Sequence, residues 1–243
     1  MFKSLSKEIF LKIQEYATSV SQRDPAAHSK IEIFLCYPGV HAILLYRVSH
    51  FFWEKGFLTL ARLISSFARF LTGVDIHPAA RIGKNLFIDH ATGVVIGETA
   101  EIGDDVTLYH GVTLGGTSIH QGKRHPTLGD RVIIGAGATI LGPITIGNDA
   151  RIGSNAVVLK DVPAAATAVG VPAQIVRNRN KKAENCFEAY AAEKADPVLK
   201  AIEDLHAQIK TLEKRLDSAS VPADTTKKGD KRKKRIDSPS KKS

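Results

Sequence analysis

The chain has few cysteines for its 243 residues, since only Cys36 and Cys186 are present. They lie far apart, and neither belongs to a CxxC or CxxH motif. This excludes the disulfide framework that small secreted domains carry, and we expect free thiols in a reducing compartment.

The sequence also lacks a recognisable targeting or membrane segment. The N-terminal MFKSLSKEIF has no uninterrupted apolar stretch and no small-residue cleavage site, so no signal peptide is predicted. Residues 51–74 are apolar, but Glu54, Lys55, Arg62 and Arg69 interrupt them, whereas a bilayer span needs about 20 nearly uncharged residues. We therefore expect a buried helix here, no membrane partner and a cytoplasmic location.

The net charge of +9 is confined largely to one end of the chain. Residues 220–243 contain nine Lys or Arg and three Asp, so this segment carries +6 and the remaining 219 residues carry only +3. The body lacks the strongly basic surface that nucleic-acid binding requires, and nucleic acid is not expected as a partner. Residues 219–243 have the composition of a disordered basic tail.

What the sequence does contain is a repeat of six residues. Small or β-branched residues often precede each aliphatic position by two, and glycine often follows it. This period fits neither an α-helix nor a two-sided sheet, but it is typical of a parallel β-helix with three hexapeptides in each triangular coil. The aliphatic positions are Ile76, Ile82, Ile88 and Val94, then Ile96, Ile102, Leu108 and Leu114, and finally Leu128, Ile134, Ile140, Ile146, Ile152 and Val158.

The repeat shifts by two residues between Val94 and Ile96, and it is interrupted by an insertion between Leu114 and Leu128. The spacing of fourteen is six plus an insertion of eight, so GGTSIHQGKRHP is predicted to leave the coil as a loop over residues 115–127. Insertions in solenoids collect on one face and often carry a binding site. A plain surface loop is the alternative.

Helical patterns lie on both sides of the repeat. Leu5, Ile9, Ile13 and Tyr16 predict a first amphipathic helix, and the RDPA sequence at 23–26 predicts a break with helix-start chemistry. Further helices are predicted over 31–35 and 40–70, interrupted near Pro38 and Gly56. After the repeat, a row of apolar residues has the alternating spacing of four and three that is typical of a coiled coil, and we call it the seam. It consists of Val198, Ile202, Leu205, Ile209, Leu212 and Leu216.

Five segments follow from these patterns. They are an α-helical N-terminal domain (1–73), a β-helix domain (74–163), a closing segment (164–195), a coiled-coil helix (196–218) and a basic tail (219–243).

Two sets of ionisable residues are candidates for chemistry. Asp75 and His90 are fifteen residues apart, close to the roughly eighteen of a full coil, so stacking would bring them together. A carboxylate beside an imidazole fixes its tautomer and favours the imidazolium, which suits activation of a hydroxyl. The alternative is that Asp75 and Asp89 only cap backbone amides at the corners.

The second set lies in the inserted loop. Arg124 and His125 together suit a small carboxylate, the alternative being a solvated loop. Gly115, Gly116 and Thr117 offer backbone amides where the loop leaves the coil.

With these residues in view, the chain resembles the serine O-acetyltransferases. The resemblance rests on DIHPAARIG, IDHATGVVIGETA, GVTLGGT, RHP, IGAGATILG and a VPA after the last coil, together with the N-terminal RDPA and YPGVHAILLYRVSHFFW. It covers residues 20–180 and implies a left-handed β-helix that transfers acetyl from acetyl-CoA to the hydroxyl of L-serine, the first step of cysteine biosynthesis.

The resemblance also implies roles for individual residues. His90 would be the general base and Asp75 its partner, while Asp24 and Asp89 would hold the substrate ammonium. Arg124 and His125 would hold its carboxylate. The CoA groove between subunits would be lined by Gly116 and Thr117, with the backbone around Ala136 and Ala156.

Partners are implied in the same way. Acetyl-CoA is the co-substrate, no metal is expected, and L-cysteine is the expected feedback inhibitor. The active site of such enzymes lies between subunits, and the short N-terminal region favours a homotrimer over a hexamer. A complex with cysteine synthase is not expected, since the chain ends in Ser243 rather than isoleucine.

Three other interpretations compete with this one. A transferase of the same fold that acts on a sugar or an antibiotic would leave Asp24 and Arg124 without a role. A zinc hydratase needs three ligands and an open position, for which His77, His90 and His110 are the candidates. A β-helix without activity would not explain the cluster of ionisable residues.

Overall fold

The computed structural model describes residues 14–176 and 197–219. The chain divides into two compact units, with the division between Lys200 and Ala201. The predictions for Leu5, Ile9 and Ile13, for Cys186 and for residues 220–243 lie outside the described residues.

In the described part of the chain, four helices precede the strands. Helix α1 is described from residue 14 and ends at residue 23, and the later helices are α2 (Lys30–Cys36), α3 (Pro38–Glu54) and α4 (Leu58–Thr72). Helix α2 begins later than the RDPA sequence suggests, because its N-cap is Ser29, whose side chain accepts a hydrogen bond from the backbone N–H of Glu32. The interruption predicted near Pro38 is confirmed, since α2 ends at Cys36 and Pro38 begins α3, at a position where its missing N–H costs nothing.

The break predicted near Gly56 is confirmed, but the expectation that residues 51–74 form a buried helix is wrong. The segment breaks between α3 and α4, and α4 buries only Ala61, Ser65, Ala68 and Thr72. Because α4 packs on α3 and β1 through this small-residue side, its larger apolar side chains point outward. The exposed ones are Leu58, Leu60, Leu63, Phe67, Phe70 and Leu71.

Within the described ranges, no single helix is long and apolar enough to cross a membrane. The consecutive helices α2 and α3, bent by 70° at their junction, meet the length and composition test only as a pair.

Short strands then wind into a β-helix. They stack as three sheets, ordered β1-β4-β7-β10-β13, β2-β5-β8-β11 and β3-β6-β9-β12-β14, and β15 closes the last sheet antiparallel to β14. The strands are β1 (Asp75–Ile76), β2 (Arg81–Ile82), β3 (Phe87–Ile88), β4 (Val95–Ile96), β5 (Glu101–Ile102), β6 (Thr107–Leu108), β7 (Thr113–Gly115), β8 (Thr127–Leu128), β9 (Ile133–Ile134), β10 (Thr139–Leu141), β11 (Thr145–Ile146), β12 (Arg151–Ile152), β13 (Val157–Val158), β14 (Thr167–Val169) and β15 (Gln174–Val176).

The predicted aliphatic ladder forms the axis of this β-helix, and every one of its fourteen residues is buried. One assignment within it is corrected. Ile76 pairs with Ile96 and not with Val94, which fills the inward position two residues earlier. The first coil is therefore twenty residues long, whereas Ile96 pairs with Leu114 after eighteen.

The two additional residues lie in the corner between β3 and β4. His90, Ala91 and Gly93 all have positive φ there. A non-glycine residue in this region is uncommon and indicates a tightly determined turn. This corner carries the candidate residues Asp89 and His90 outside the regular coil.

The helices and the β-helix share a hydrophobic core. Ala42, Ile43 and Tyr46 of α3 pack into the core cluster of the coils, and the Tyr46 hydroxyl donates to the carbonyl of Ala80 at 2.6 Å. A second cluster joins α1, α2 and α3 to Phe87 of β3. The predicted boundary at residue 73 thus separates two kinds of secondary structure within one compact unit.

Helix α5 (Pro197–Ala219) belongs to the region where the coiled coil was predicted. Its helical conformation is confirmed, and Ile202, Leu205, Ile209, Leu212 and Leu216 of the seam are exposed in the single chain. Pairing of this seam with other copies stays a prediction.

Candidate active site

A cavity of about 250 Å³ lies where the inserted loop returns to the β-helix. Strands β1 and β4, helix α4 and the end of the loop contribute its lining. We call its ionisable residues the loop-side cluster, which consists of Arg62, Asp75, His77, Glu98, Arg124 and His125.

His125 is held in one orientation and one tautomer. The hydroxyl of Thr99 accepts the backbone N–H groups of Arg124 and His125, so its own proton is directed to Nδ1 of His125 at 2.9 Å. The backbone N–H of Thr99 also donates to Nδ1, which is therefore an acceptor. In the neutral ring the proton is on Nε2, which can donate to a carboxylate oxygen.

The neutral state of His125 is favoured by its surroundings. Burial lowers the pKa of His125, and the neighbouring Arg124 cation lowers it further. The same reasoning applies to His77, whose Nδ1 accepts from the N–H of Ala79 at 3.1 Å. Burial and then the Arg62 cation lower the pKa of His77. Both rings are therefore neutral Nε2–H donors at neutral pH.

Gly97 creates the space that His125 occupies. A Cβ atom at position 97 would overlap Cδ2 and Nε2 of the imidazole ring. The absence of a side chain at Gly97 thus lets the ring lie directly on strand β4. The requirement for glycine here is steric, because the residue does not have positive φ.

Two carboxylates compensate cations in the cavity. The guanidinium of Arg124 bonds to the carboxylate of Glu98, while its Nε is buried and has no hydrogen-bond partner in the described part of the chain. Asp75 accepts from Nη1 of Arg69, one turn from the end of α4, at 3.2 Å. Arg62 forms no ion pair with any described residue.

The remaining candidates lie in a second group, which we call the corner cluster: Asp24, Tyr37, Asp89, His90 and His110. The Nε2 atom of His90 is 3.9 Å from Oδ2 of Asp89, and 76% of its side chain is exposed. His110, one coil further along, meets the His90 ring edge-to-face, with ring centroids 5.9 Å apart. His90 is therefore accessible and ordered by two neighbours.

The corner cluster is strongly acidic. Partial burial raises the pKa of the Asp89 carboxyl, and the Asp24 carboxylate adds to this rise, while His90 opposes it. Two carboxylates in such proximity favour a cation between them. The charge of the cluster is thus complementary to an ammonium group.

The register does not stack Asp75 on His90. Asp75 pairs with Val95, twenty residues further on, whereas His90 is only fifteen residues further on and lies in the corner before β4. Among the described residues, no hydrogen bond or ion pair joins the corner cluster to the loop-side cluster. In one chain the candidate residues therefore form two separate half-sites.

Residues predicted to contact CoA differ in their accessibility. Gly116 and Thr117 are exposed at the start of the loop, and Ala136 is partly exposed above His110. The Ala156 side chain is fully buried on the axis and both its backbone groups are hydrogen-bonded within the β-helix, so contact of CoA with the backbone around Ala156 stays a prediction. Ser154 and Asn155 are the exposed residues at that corner.

Some members of these clusters were missed from the sequence. Arg62 lies in no motif, whereas Tyr37, Glu98 and Thr99 lie inside motifs quoted above but were not singled out, because only the folded chain brings them to the site. His110 carried a signal, since it follows His90 by one twenty-residue coil.

No group of three or more His, Cys, Asp or Glu residues is placed to hold a metal ion in the two described ranges. Of the three histidines considered as zinc ligands, His90 and His110 are neighbours in the corner cluster. His77 belongs to the loop-side cluster, where its ring packs against Trp53.

The hexapeptide β-helix, with a glycine-rich loop start exposed on it and a cavity lined by ionisable residues, is typical of the hexapeptide-repeat transferase class. The family model described as bacterial transferase hexapeptide (six repeats) matches residues 125–160. A serine acetyltransferase of Mycobacterium tuberculosis is 64% identical over 155 residues, which cover 64% of this chain and 68% of that protein. The chain belongs to the serine acetyltransferase family, whose fold is a helical N-terminal region followed by a left-handed β-helix.

Solved structures agree with this assignment. The serine acetyltransferase of Neisseria gonorrhoeae in complex with serine is 44% identical, with a TM-score of 0.67 over 72% of each chain. The serine acetyltransferase of Brucella abortus in complex with coenzyme A is 42% identical, with a TM-score of 0.67 over 71% of this chain and 69% of that chain.

Proposed function

We propose that the chain transfers the acetyl group of acetyl-CoA to the hydroxyl of L-serine, with His90 as the general base. The His90 imidazole removes the hydroxyl proton while the serine oxygen attacks the thioester carbonyl. When the tetrahedral intermediate collapses, the C–S bond breaks and the imidazolium returns the proton to the sulfur of CoA. The products are O-acetyl-L-serine and CoA, and no acyl-enzyme forms.

The observation that carries this proposal is the complementary charge of the two clusters. Asp24 and Asp89 suit the ammonium group of serine, while Arg124 and the Nε2–H of His125 suit its carboxylate. The cavity that Arg124 and His125 both line supports the second part.

A complete site requires a second copy of the chain. The two clusters are not connected within one chain, yet both ends of a molecule as small as serine must be held at once. A homotrimer in which the corner cluster of one copy faces the loop-side cluster of the next would join them. In that arrangement Asp75, which shares the cavity with Arg124 and His125, orients His90 of the adjacent copy.

The same site accounts for the other ligands. Gly116, Thr117 and the backbone at Ala136 lie on exposed surface where the amide-rich arm of acetyl-CoA would bind. L-cysteine, which presents the same ammonium and carboxylate groups, would occupy the serine site as an inhibitor. The reaction suits a cytoplasmic enzyme of cysteine biosynthesis.

The direct test is release of CoA from acetyl-CoA by the purified protein. L-serine should support release, and L-cysteine should suppress it in competition with serine. Release with a sugar or an aminoglycoside but not with serine would contradict the proposal.

We expect Asp24→Asn and Arg124→Gln each to raise KM for serine by about 10-fold. A change of this size lies toward the lower end of the free energy that a hydrogen bond to a charged group contributes. Each change removes one charge that faces the zwitterion but keeps a side chain of similar shape. KM for acetyl-CoA should stay within twofold. A rise in KM for acetyl-CoA without one for serine would show that these residues have other roles.

We expect the protein in solution to have three times the 26.3 kDa mass of one chain. Light scattering of the eluting protein measures this directly, and a mass near six chains would contradict a simple trimer. Truncation after Lys194 should leave a trimer with a lower melting temperature if the α5 seam adds a threefold contact. Monomers after truncation would show that the β-helix does not suffice for assembly.

A further inference from the structure

Tyr37 begins the YPGVHAILLYRVSHFFW motif and makes a contact with Asp24 that has no assigned role in the reaction. It lies between α2 and α3, with extended backbone at φ −93° and ψ 107°. Its hydroxyl donates to Oδ2 of Asp24 at 2.5 Å, while Oδ1 of Asp24 accepts the backbone N–H of Ala26 at 2.8 Å. Both oxygens of the carboxylate are thereby fixed.

The Tyr37 ring is anchored to the β-helix. It packs against a buried cluster that contains Val20, Ile33, Val40 and Phe87. Phe87 starts strand β3, which leads into the corner with Asp89. Tyr37 therefore ties the position of Asp24, at the end of α1, to the strand that positions Asp89.

The charges around Tyr37 explain why a phenol is suited to this place. Asp24, Glu32 and Asp89 all raise the pKa of Tyr37, after burial as the largest cause, so the phenol stays protonated and donates. No Lys or Arg of the described ranges forms an ion pair with these three carboxylates. A cation in place of the phenol would also hold Asp24, but it would neutralise the negative charge that attracts an ammonium group.

We infer that Tyr37 is a positioning residue that holds the Asp24 carboxylate for the ammonium group of the substrate without adding a competing positive charge. This inference rests on the proposed function, because it assigns Tyr37 to the ammonium end of serine. It distinguishes Tyr37 from a residue that only stabilises the turn between α2 and α3.

The test compares Tyr37→Phe with Tyr16→Phe in the full-length protein. Tyr16 is a matched control, since its partly buried hydroxyl donates to a backbone carbonyl, that of Leu86, at 3.0 Å. We expect Tyr37→Phe to raise KM for L-serine by about 3- to 10-fold, which corresponds to the free energy of one hydrogen bond. Both kcat and KM for acetyl-CoA should stay within twofold of the unchanged enzyme. Tyr16→Phe should change none of the three by more than twofold.

A substrate analogue separates positioning from general stability. 3-Hydroxypropanoate is serine without its amino group, and its inhibition constant against serine should be the same in Tyr37→Phe and the unchanged enzyme. An equal loss of affinity for serine and for the analogue would overturn the inference and leave Tyr37 with a structural role. So would an unchanged KM for serine in Tyr37→Phe, or a similar rise in Tyr16→Phe.

A double-mutant cycle gives a second readout. In the Asp24→Asn background, Tyr37→Phe should raise KM for serine by less than twofold, because the contact through which it acts is already altered. Additive effects would contradict the inference. A wild-type protein that releases no CoA with serine would instead remove the proposed function, and this result is obtained before any variant is made.

Discussion

His90→Asn is expected to lower kcat for serine acetylation by about 10²- to 10⁴-fold, the usual contribution of a general base. An amide keeps a polar group at the corner but cannot take the hydroxyl proton at neutral pH. KM for both substrates should change little, since Asp24, Asp89 and Arg124 remain. His90→Ala should behave in the same way.

Folding is not expected to obscure this result. The His90 side chain is 76% exposed, so its replacement leaves no buried cavity. The backbone φ of 56° at His90 is one that asparagine adopts readily. The melting temperature should therefore match that of the unchanged protein. His206→Asn, at an exposed position of α5, is the control for a histidine outside the clusters. A folded His90→Asn protein with nearly full turnover would refute the assignment of the base.

Gly97→Ala is expected to lower kcat/KM for serine by about 10²-fold. A displacement of about 1 Å in a group that positions the substrate lowers the rate by that order. The added Cβ would overlap the imidazole ring of His125, so the ring has to move away from β4. Its bonds to Thr99 then change, and the Nε2–H no longer points to the carboxylate position.

The matched control for this change is Gly153→Ala. Gly153 follows strand β12 as Gly97 follows β4, and its added Cβ would meet the side chain of Val169 at 2.8 Å. It therefore reports the general cost of alanine at this position of the hexapeptide. We expect Gly153→Ala to lower the melting temperature while kcat/KM stays within about threefold of the unchanged value. Full activity of Gly97→Ala would show that His125 does not bind the substrate.

The steps of the prediction that failed have a common cause. The six-residue period predicted the axis residues because each coil repeats the same inward environment, and all fourteen are buried. It misplaced Val94 because both it and Ile96 are aliphatic, and only the pairing of β1 with β4 distinguishes them. The predicted stack of Asp75 on His90 failed because the residues that pair across β1 and β4 are twenty apart, and His90 follows Asp75 by only fifteen.

The helical region shows the limit of composition as a guide. Its apolar residues predicted burial, yet α4 uses its small residues for packing and exposes Leu63, Phe67 and Phe70. Which side of a helix is buried depends on the shape of the surface beneath it. Here close approach of α4 to α3 and β1 requires alanine and serine at the contact.

The sequence by itself determined the β-helix, the position of the inserted loop and most of the chemical groups of the site, because each depends on local spacing or on residue type. The tertiary structure alone decided how these groups are distributed. Long-range packing brings Tyr37 to Asp24 and Glu98 to Arg124, and strand register separates His90 from Asp75. Contacts between residues far apart in the chain depend on the whole fold, and no local pattern encodes them.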